Sequence, residues 1–383
     1  MVIHKDKLDW IQALRGVAVM LVVFSHARYY FMNTPQWQLA ETLFRPGAMG
    51  VDLFFIISGF IMVYTTRTSD ASAAYTIDFA IKRFARIWPV YAIATLLYVL
   101  VKEKGPHYFA DASNIVIFAK SLLFYPADPS VPLFFGFSLP LGWTLAFEVY
   151  FYAVFGISML FGRLRWAVLF GWMLLTVILI PYALGNHRLN VQAQLHLPFA
   201  YLDLITNSII VDFLAGVAIA HIYLAPALRL NNRIVCQHLL WGGIGLALWC
   251  NYTSVAEFHG LNKWGGPLAL MVLCMALASK TLELTPPKLL VWFGTISYSL
   301  YLIHTIVQFG LSRWLDERGV SGDLWGRVFI TSLCSIILAG VSYRYLEVKL
   351  AGAVKTGLSR LAHNWLKPPQ PPLDAQPATS LLP

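Results

Sequence analysis

The chain has 383 residues, of which 58% are hydrophobic, 15% aromatic and only 12% charged. Soluble domains carry about 25% charged residues, so this composition excludes an ordinary soluble protein and indicates an integral membrane protein. The formal net charge of +9 would suggest a nucleic-acid partner in a soluble chain. No such partner is expected here, because basic residues of membrane proteins collect in cytoplasmic loops.

Ten apolar segments are long enough to cross a bilayer, since a spanning helix needs about 20 residues. They lie at residues 8–28, 47–65, 86–102, 139–161, 165–184, 203–224, 235–253, 264–280, 289–312 and 324–346. The sequence therefore predicts an all-α, polytopic bundle of about ten transmembrane helices.

The orientation of the bundle follows from its charged loops. The first segment is expected to be a retained helix and not a signal peptide, because it contains Arg15 and no small-residue cleavage site follows it. An inside N-terminus places most of the 28 Lys and Arg residues on the cytoplasmic side. Both termini are therefore predicted to be cytoplasmic.

A single domain is expected, because the segments between spans are too short to bury a second core. Residues 1–350 are predicted to form the transmembrane domain, and residues 351–383 a disordered, Pro-rich cytoplasmic tail. The four cysteines form no C-x-x-C pair, so they are predicted to be packing residues, with neither a disulfide framework nor a metal site.

The first span holds two ionisable side chains, Arg15 and His26. Eleven residues correspond to three helical turns with about 20° left over and a rise of about 16 Å, so both side chains face one way at two depths. Ionisable residues inside a membrane are costly and usually face a polar cavity. The pair is therefore a hypothesis for a functional site.

Helical rise places His26, Asp52, Glu148 and His304 toward the outer half of the bundle. A histidine near its normal pKa can take a hydroxyl proton during acyl transfer and return it to a leaving thiol. Glu148 or Asp52 could orient it and stabilise the imidazolium. The alternatives are that His26 only bonds a neighbouring helix and that Asp52 has a structural role.

His304 ends a segment that also contains Ser297 and Tyr301. These three residues are either a second polar site or an ordinary hydrogen-bonding network. Arg83 and Arg86 share a face at the inner end of the third span, where guanidinium groups suit bidentate binding of phosphate. The alternative is that this pair only anchors the helix at the cytoplasmic surface.

Five segments in order resemble acyltransferase family 3, and within it most closely the bacterial exopolysaccharide acyltransferases. They are Arg15 with His26, the block Gly50-Val51-Asp52-Leu53-Phe54-Phe55-Ile56-Ile57-Ser58-Gly59-Phe60, Arg83 and Arg86 before Trp88-Pro89, Trp143-Thr144-Leu145 leading to Glu148, and Ser297 to His304. The resemblance covers residues 8 to 347. One departure is that Glu347 is followed by Val348-Lys349, where the family often has Glu-x-Pro.

The resemblance implies a multi-pass enzyme of the bacterial inner membrane with His26 as the catalytic histidine and Arg15, Arg83 and Arg86 serving the donor. The donor would be cytoplasmic acyl-CoA, commonly acetyl-CoA, and no permanently bound cofactor is expected. The acceptor would be a sugar hydroxyl of a surface glycan or a lipid-linked oligosaccharide. Polysaccharide assembly machinery is a further expected partner beside the lipid bilayer.

Two other function classes use the same residues. A proton-coupled transporter of a glycan or small solute would use the buried histidines and carboxylates as a relay. A scaffolding protein would use them only to pack helices. Within the enzyme class, a macrolide, a lipid or peptidoglycan is an alternative acceptor, and transfer through an acyl-histidine is an alternative mechanism.

Overall fold

The protein is all-helical throughout the part of the chain described by a computed structural model, residues 8–366 apart from 104, 129, 132, 194, 196, 254, 321 and 322. The first eight helices are α1 (Asp9–Ala27), α2 (Trp37–Phe44), α3 (Gly50–Thr65), α4 (Ala73–Lys102), α5 (Ala112–Leu122), α6 (Gly142–Met159), α7 (Arg165–Met173) and α8 (Ile180–Ala183). The others are α9 (Ala200–Ile205), α10 (Ile210–Leu224), α11 (Arg233–Tyr252), α12 (Gly265–Ala278), α13 (Lys288–Thr295), α14 (Ser297–Glu317), α15 (Leu324–Ser342) and α16 (Ala351–Leu366). Two π-helical segments join neighbours, Leu174–Leu179 after α7 and Tyr343–Leu350 after α15. Four 3₁₀ turns lie at Arg28–Phe31, Arg45–Met49, Pro106–Ala110 and Gly162–Leu164.

Six helical stretches among the described residues are long and apolar enough to cross a membrane. They are Asp9–Phe31, Trp37–Thr65, Ala73–Lys102, Gly162–Ala183, Arg233–Tyr252 and Leu324–His363. A seventh exists if α13 and α14, which meet at an angle of 73°, count as one broken span. The all-α class is therefore confirmed, whereas the ten spans and the cytoplasmic termini stay predictions.

Two short apolar helices account for part of this difference. α10 and α12 contain 15 and 14 residues, which correspond to only about 20 Å of helix each. Buried residues make up much of both helices. They therefore lie within the bundle, where neighbouring helices surround them.

Glycine allows the closest helix crossings. A Cβ atom on Gly216 of α10 would lie 1.9 Å from the carbonyl oxygen of Ile56 in α3, and one on Gly294 of α13 would lie 1.9 Å from that of Gln12 in α1. Small residues let helix backbones approach closely inside a membrane. The second crossing fixes α1 beside the break between α13 and α14, three residues from Arg15.

Stacked aromatic rings form the centre of the core. The Phe213 ring on α10 lies 4.5 Å from that of Phe55 on α3 and 4.4 Å from that of Phe151 on α6, measured between centroids. All three side chains are buried. This stack holds α3 and α6 together, and those two helices carry Ser58 and Glu148 to the site described below.

The segment after residue 350 differs from the sequence-based expectation. Residues 351–366 form α16, which continues the π-helical segment and packs against α4, so the prediction of disorder is wrong for this part. The physical reason is that the segment lacks proline and repeats apolar residues at Val354, Leu358 and Leu361, the spacing of a helix face. Residues 367–383, with the proline run, lie outside the described residues.

Candidate functional site

Helix α1 carries both ionisable residues of the first span. Arg15 and His26 lie within Asp9–Ala27, so the predicted rise of about 16 Å between them applies. The Arg15 Nη1 donates to Gln12 Oε1 over 2.9 Å, and its Nη2 donates to Ser297 Oγ over 2.8 Å. Ser297 is the first residue of α14, so the break in the α13–α14 pair is what brings an acceptor to Arg15.

An interior cavity of about 810 Å³ surrounds the arginines. Its polar lining comes from Arg15, Ser58, Arg83, Arg86, Thr144, Glu148, Tyr152, Ser297, Tyr298 and Tyr301, and its apolar lining from Val51, Phe54, Phe55, Ile57, Ile61, Met62, Ile87 and Leu145. Three predicted donor-binding arginines are thus brought into one cavity. An anion at its charged end and an apolar chain along its wall would both find complementary groups.

Glu148 is the carboxylate of this cavity. Ser58 Oγ donates to its Oε1 over 3.3 Å, and the Tyr152 hydroxyl donates to the same oxygen. Among the contacts of the described residues, none joins Glu148 to His26. The structure therefore does not pair Glu148 with His26. Glu148 instead lines the interior cavity together with the arginines, and its charge offsets part of that of Arg15 and Arg83.

A second cavity, which we call the vestibule, has a volume of about 830 Å³. Its polar lining is Gln12, Arg15, Lys82, Arg86, Thr295, Tyr343, Glu347 and Lys355. Arg15 and Arg86 line both spaces, so they form the boundary between vestibule and interior cavity. Because Lys355 lies on α16, the helix that was expected to be disordered contributes a cation to the site.

Glu347 holds the start of α14. It accepts hydrogen bonds from the Ser299 backbone N–H over 2.8 Å and from Ser299 Oγ over 2.5 Å. Backbone N–H groups in the first turn of a helix lack intrahelical partners, so this carboxylate stabilises the break beside Ser297. Where the family often has Glu-x-Pro, this chain continues from Glu347 through the π-helical segment into α16.

His26 is paired with His304 and not with a carboxylate. His26 Nδ1 lies 3.0 Å from the Val22 carbonyl oxygen and 3.3 Å from His304 Nε2. His304 Nδ1 lies 3.1 Å from the Leu300 carbonyl oxygen. The carbonyl contacts assign a proton to each Nδ1, so His304 Nε2 accepts from His26 and the Nε2 of His26 keeps its lone pair for a substrate.

Tyr301 connects the interior cavity to this histidine pair. Its hydroxyl and Thr144 Oγ1 are 2.8 Å apart, and its ring centroid lies 6.0 Å from that of His304. Tyr301 also lines the interior cavity. The residues predicted as a second polar site, Ser297, Tyr301 and His304, thus belong to the same site as Arg15 and His26.

Asp52 lies in a different cluster. Its Oδ2 is 2.7 Å from His259 Nδ1, its Oδ1 accepts from the Gly260 backbone N–H over 2.7 Å, and its side chain is fully buried. The prediction that Asp52 orients His26 is corrected accordingly. Asp52 instead holds the segment before α12 against the start of α3. This is the structural role that the sequence analysis gave as the alternative to a role beside His26.

Sequence reasoning missed several members of these clusters. Asp212, a fully buried carboxylate on α10, was detectable as a charged residue inside the apolar segment 203–224. Ser58 and Tyr152 had no such signal, because hydroxyl side chains are common in membrane helices. His259 lies in a segment between helices, and only the fold brings it to Asp52.

A family model for an acyltransferase domain, acyltransferase 3, matches residues 8–344. The exopolysaccharide production protein ExoZ of Rhizobium meliloti is 32% identical over 278 residues, which cover 68% of this chain and 77% of ExoZ. No solved structure matches the chain.

Two further relatives are longer proteins. The peptidoglycan O-acetyltransferase OatA of Listeria monocytogenes is 24% identical over 89% of this chain, and the putative peptidoglycan O-acetyltransferase YrhL of Bacillus subtilis is 25% identical over 90%. The matched region spans 55% of the length of each. This chain thus corresponds to about half of either protein.

Replacing Asp52 by alanine tests its corrected role. The change leaves His259 and the Gly260 N–H without their acceptor, and each buried unsatisfied donor costs about 1–3 kcal/mol. We expect the backbone amides of residues 255–260 to exchange hydrogen at least about tenfold faster in the full-length variant, as measured by mass spectrometry. Asp111→Ala, at an exposed helix N-terminus, is the matched control, and unchanged exchange in Asp52→Ala would contradict the structural role.

Proposed function

This chain belongs to acyltransferase family 3 and is an acyltransferase of the membrane. We propose that it transfers an acyl group, in the first instance acetyl, from cytoplasmic acyl-CoA to a sugar hydroxyl of an exopolysaccharide or another surface glycan. The names of ExoZ and OatA, exopolysaccharide production and peptidoglycan O-acetylation, support a glycan acceptor. Polysaccharide assembly machinery is the proposed partner.

The proposal includes the location of the enzyme, the inner membrane of a bacterium with both termini cytoplasmic. The vestibule then opens to the cytoplasm, because it lies toward the N-terminal ends of α1 and α4 and is lined by the exposed Lys82 of α4 and Lys355 of α16. Helix α6 and the shorter helices α10 and α12 would bring the six long stretches and the α13–α14 pair to ten spans. The His26 end of α1 lies toward the opposite side.

The donor fits the two connected cavities by its chemistry. An acyl-CoA has an anionic nucleotide at one end, a long pantetheine arm, and the thioester at the far end. Its phosphates match the cations around the vestibule, since guanidinium groups bind phosphate with paired hydrogen bonds. The arm would pass Arg15 and Arg86 into the interior cavity, along the apolar wall that ends at Tyr301.

The reaction uses the free lone pair of His26. His26 Nε2 removes the proton of the acceptor hydroxyl while the oxygen attacks the thioester carbonyl carbon, which forms the new C–O bond. The C–S bond then breaks, and the imidazolium returns the proton to the departing CoA thiolate. The Val22 carbonyl oxygen fixes the tautomer of His26, and His304 Nε2, which shares the same Nδ1–H, helps to hold the ring orientation. Together they have the role that a carboxylate has in other triads.

One observation carries the proposal. Helix α1 has a cation-lined cavity at one position and an oriented histidine at another. Arg15 donates to Ser297 of α14, and His26 contacts His304 of the same helix. A donor held at the first position therefore presents its far end in the direction of the second.

Replacing His26 by alanine tests the proposed chemistry. With no base to take the hydroxyl proton, transfer of labelled acetyl from acetyl-CoA to the de-O-acetylated surface polysaccharide should fall by about 10²-fold or more. The measurement uses the purified full-length enzyme in detergent, with the amount of folded protein checked by size exclusion. The control is His238→Ala, which changes an exposed histidine on α11 and should retain full activity. Full activity of His26→Ala would contradict the proposal that His26 is the catalytic base.

Removing two vestibule cations tests the donor site. The double variant Arg86→Gln, Lys355→Gln should raise the KM for acetyl-CoA by about tenfold or more, because charge-assisted hydrogen bonds are worth about 1.5–3 kcal/mol each. The KM for the glycan should stay unchanged. Arg360→Gln, on the same helix α16 but outside the vestibule lining, is the control. Equal KM values in the wild type, the double variant and the control would contradict a donor-binding role for Arg86 and Lys355.

A further inference from the structure

A third cavity lies at the end of the bundle remote from the vestibule, and we call it the distal pocket. It has a volume of about 540 Å³ and is formed mainly by Glu41, Arg45, Asn251, Tyr252, Glu257 and Trp264. Neither the family match nor the donor path accounts for it.

The distal pocket is connected to the histidine end of α1. Arg28, two residues after His26, donates from Nε to Glu41 Oε2 over 3.1 Å, and Glu41 is on the pocket wall. Arg28 also donates to Ser25 Oγ over 3.0 Å. A ligand in the pocket is thus adjacent to the turn that follows His26, whereas the nucleotide of the donor would lie at the other end of the helix.

Asn251 gives the pocket an unmet hydrogen-bond requirement. Its side chain is only 2% exposed, and its Nδ2 donates to the Ala247 carbonyl oxygen over 2.8 Å. Its Oδ1 is buried with no partner among the described residues. Buried polar atoms without partners are rare and costly, so a ligand that offers a hydroxyl donor to this oxygen would be favoured.

Negative charge exceeds positive charge on the pocket wall. Glu41 lies between Arg28 and Arg45, at 3.1 Å and 3.6 Å. Glu257 is an exposed carboxylate that makes no ion pair with another described residue. Arg28 lies behind the wall, so the lining itself has one arginine and two glutamates. This negative balance disfavours a phosphate or a uronate and leaves carboxylate oxygens that can accept hydrogen bonds from the hydroxyl groups of a neutral ligand.

Aromatic side chains supply the remaining surface. Tyr252 is 40% exposed, and the buried Trp264 contacts His259 edge to face with centroids 5.2 Å apart. His259 in turn bonds the buried Asp52, which holds this wall in place. Aromatic rings beside carboxylate and amide groups match the apolar C–H faces and the hydroxyl edges of a sugar.

We infer that the distal pocket binds a neutral sugar unit of the acceptor glycan, with Asn251 Oδ1 and the Glu257 carboxylate accepting its hydroxyl groups. The inference rests on the proposed function only in treating the bound sugar as the acceptor. The pocket and the class of its ligand do not depend on the donor. A lipid tail would leave Asn251 without a donor, and an anionic sugar would meet Glu257.

Two measurements on the full-length protein in nanodiscs test this site. The probe is a set of neutral oligosaccharides released from the surface polysaccharide of the host bacterium and stripped of O-acetyl groups by mild base. Binding without any donor is measured by saturation-transfer NMR, with oligogalacturonate and short-chain phosphatidylglycerol as comparators. Transfer from acetyl-CoA to the same oligosaccharides then gives KM values for donor and acceptor.

The variants are Glu257→Gln and Asn251→Leu, and the control is Glu103→Gln, an exposed carboxylate just after α4 at the same end of the bundle. We expect either pocket change to weaken oligosaccharide binding and raise the acceptor KM by about tenfold. The KM for acetyl-CoA should stay within twofold of the wild type. Because Glu257 is exposed, its variant should fold normally even if Asn251→Leu does not.

The outcomes separate the pocket from the proposed function. Binding that is lost in the pocket variants supports the site even if the wild type transfers nothing, in which case the proposed function alone fails. If Glu257→Gln and Asn251→Leu transfer acetyl with an unchanged acceptor KM, the sugar-binding role of the pocket is contradicted, whereas the proposed function still stands. Absent binding by the wild type, or a preference for oligogalacturonate or the lipid, also overturns the inference.

Discussion

The pairing of α1 with α14 is the constraint on which the rest of the site depends. Arg15 donates to Ser297 at one end, and His26 contacts His304 at the other. Gln308 further along α14 donates from Nε2 to the Val23 carbonyl oxygen over 2.9 Å. Three contacts between the same two helices fix their register, so the arginine and the histidine cannot shift separately.

This pairing also explains how charged groups persist inside an apolar bundle. An ionisable side chain in a membrane needs a partner or a polar cavity. Arg15 has both, because Ser297 accepts from it while two cavities meet at its side chain. Glu148 offsets part of the charge of the arginines, and Asp52 is satisfied elsewhere by His259. The polar groups thus form two separate clusters, one around Arg15, Glu148 and His26 and one around Asp52 that holds the distal end of the bundle.

The sequence predicted those features that depend on one helix at a time. The eleven-residue spacing placed Arg15 and His26 on one helix, and the motif order predicted the family, which the match over residues 8–344 confirms. Depth along a helix could not decide which carboxylate meets His26, because rise gives height and not the neighbour across the interface. Glu148 and Asp52 therefore both remained candidate partners of His26, although the structure pairs Asp52 with His259. His304, the residue that contacts His26, was placed in a second polar site. The helix at residues 351–366 was missed because the proline run after it dominated the composition of the tail.

The central claim is that the acyl group passes along α1 from a donor on one side of the membrane to an acceptor on the other. Sealed inside-out membrane vesicles test it, with the de-O-acetylated glycan enclosed and acetyl-labelled acetyl-CoA added only outside, since CoA does not cross a bilayer. The account predicts label on the enclosed glycan and none on the same glycan added outside. Label only on the outer glycan would contradict it, because donor and acceptor would then meet on the same side.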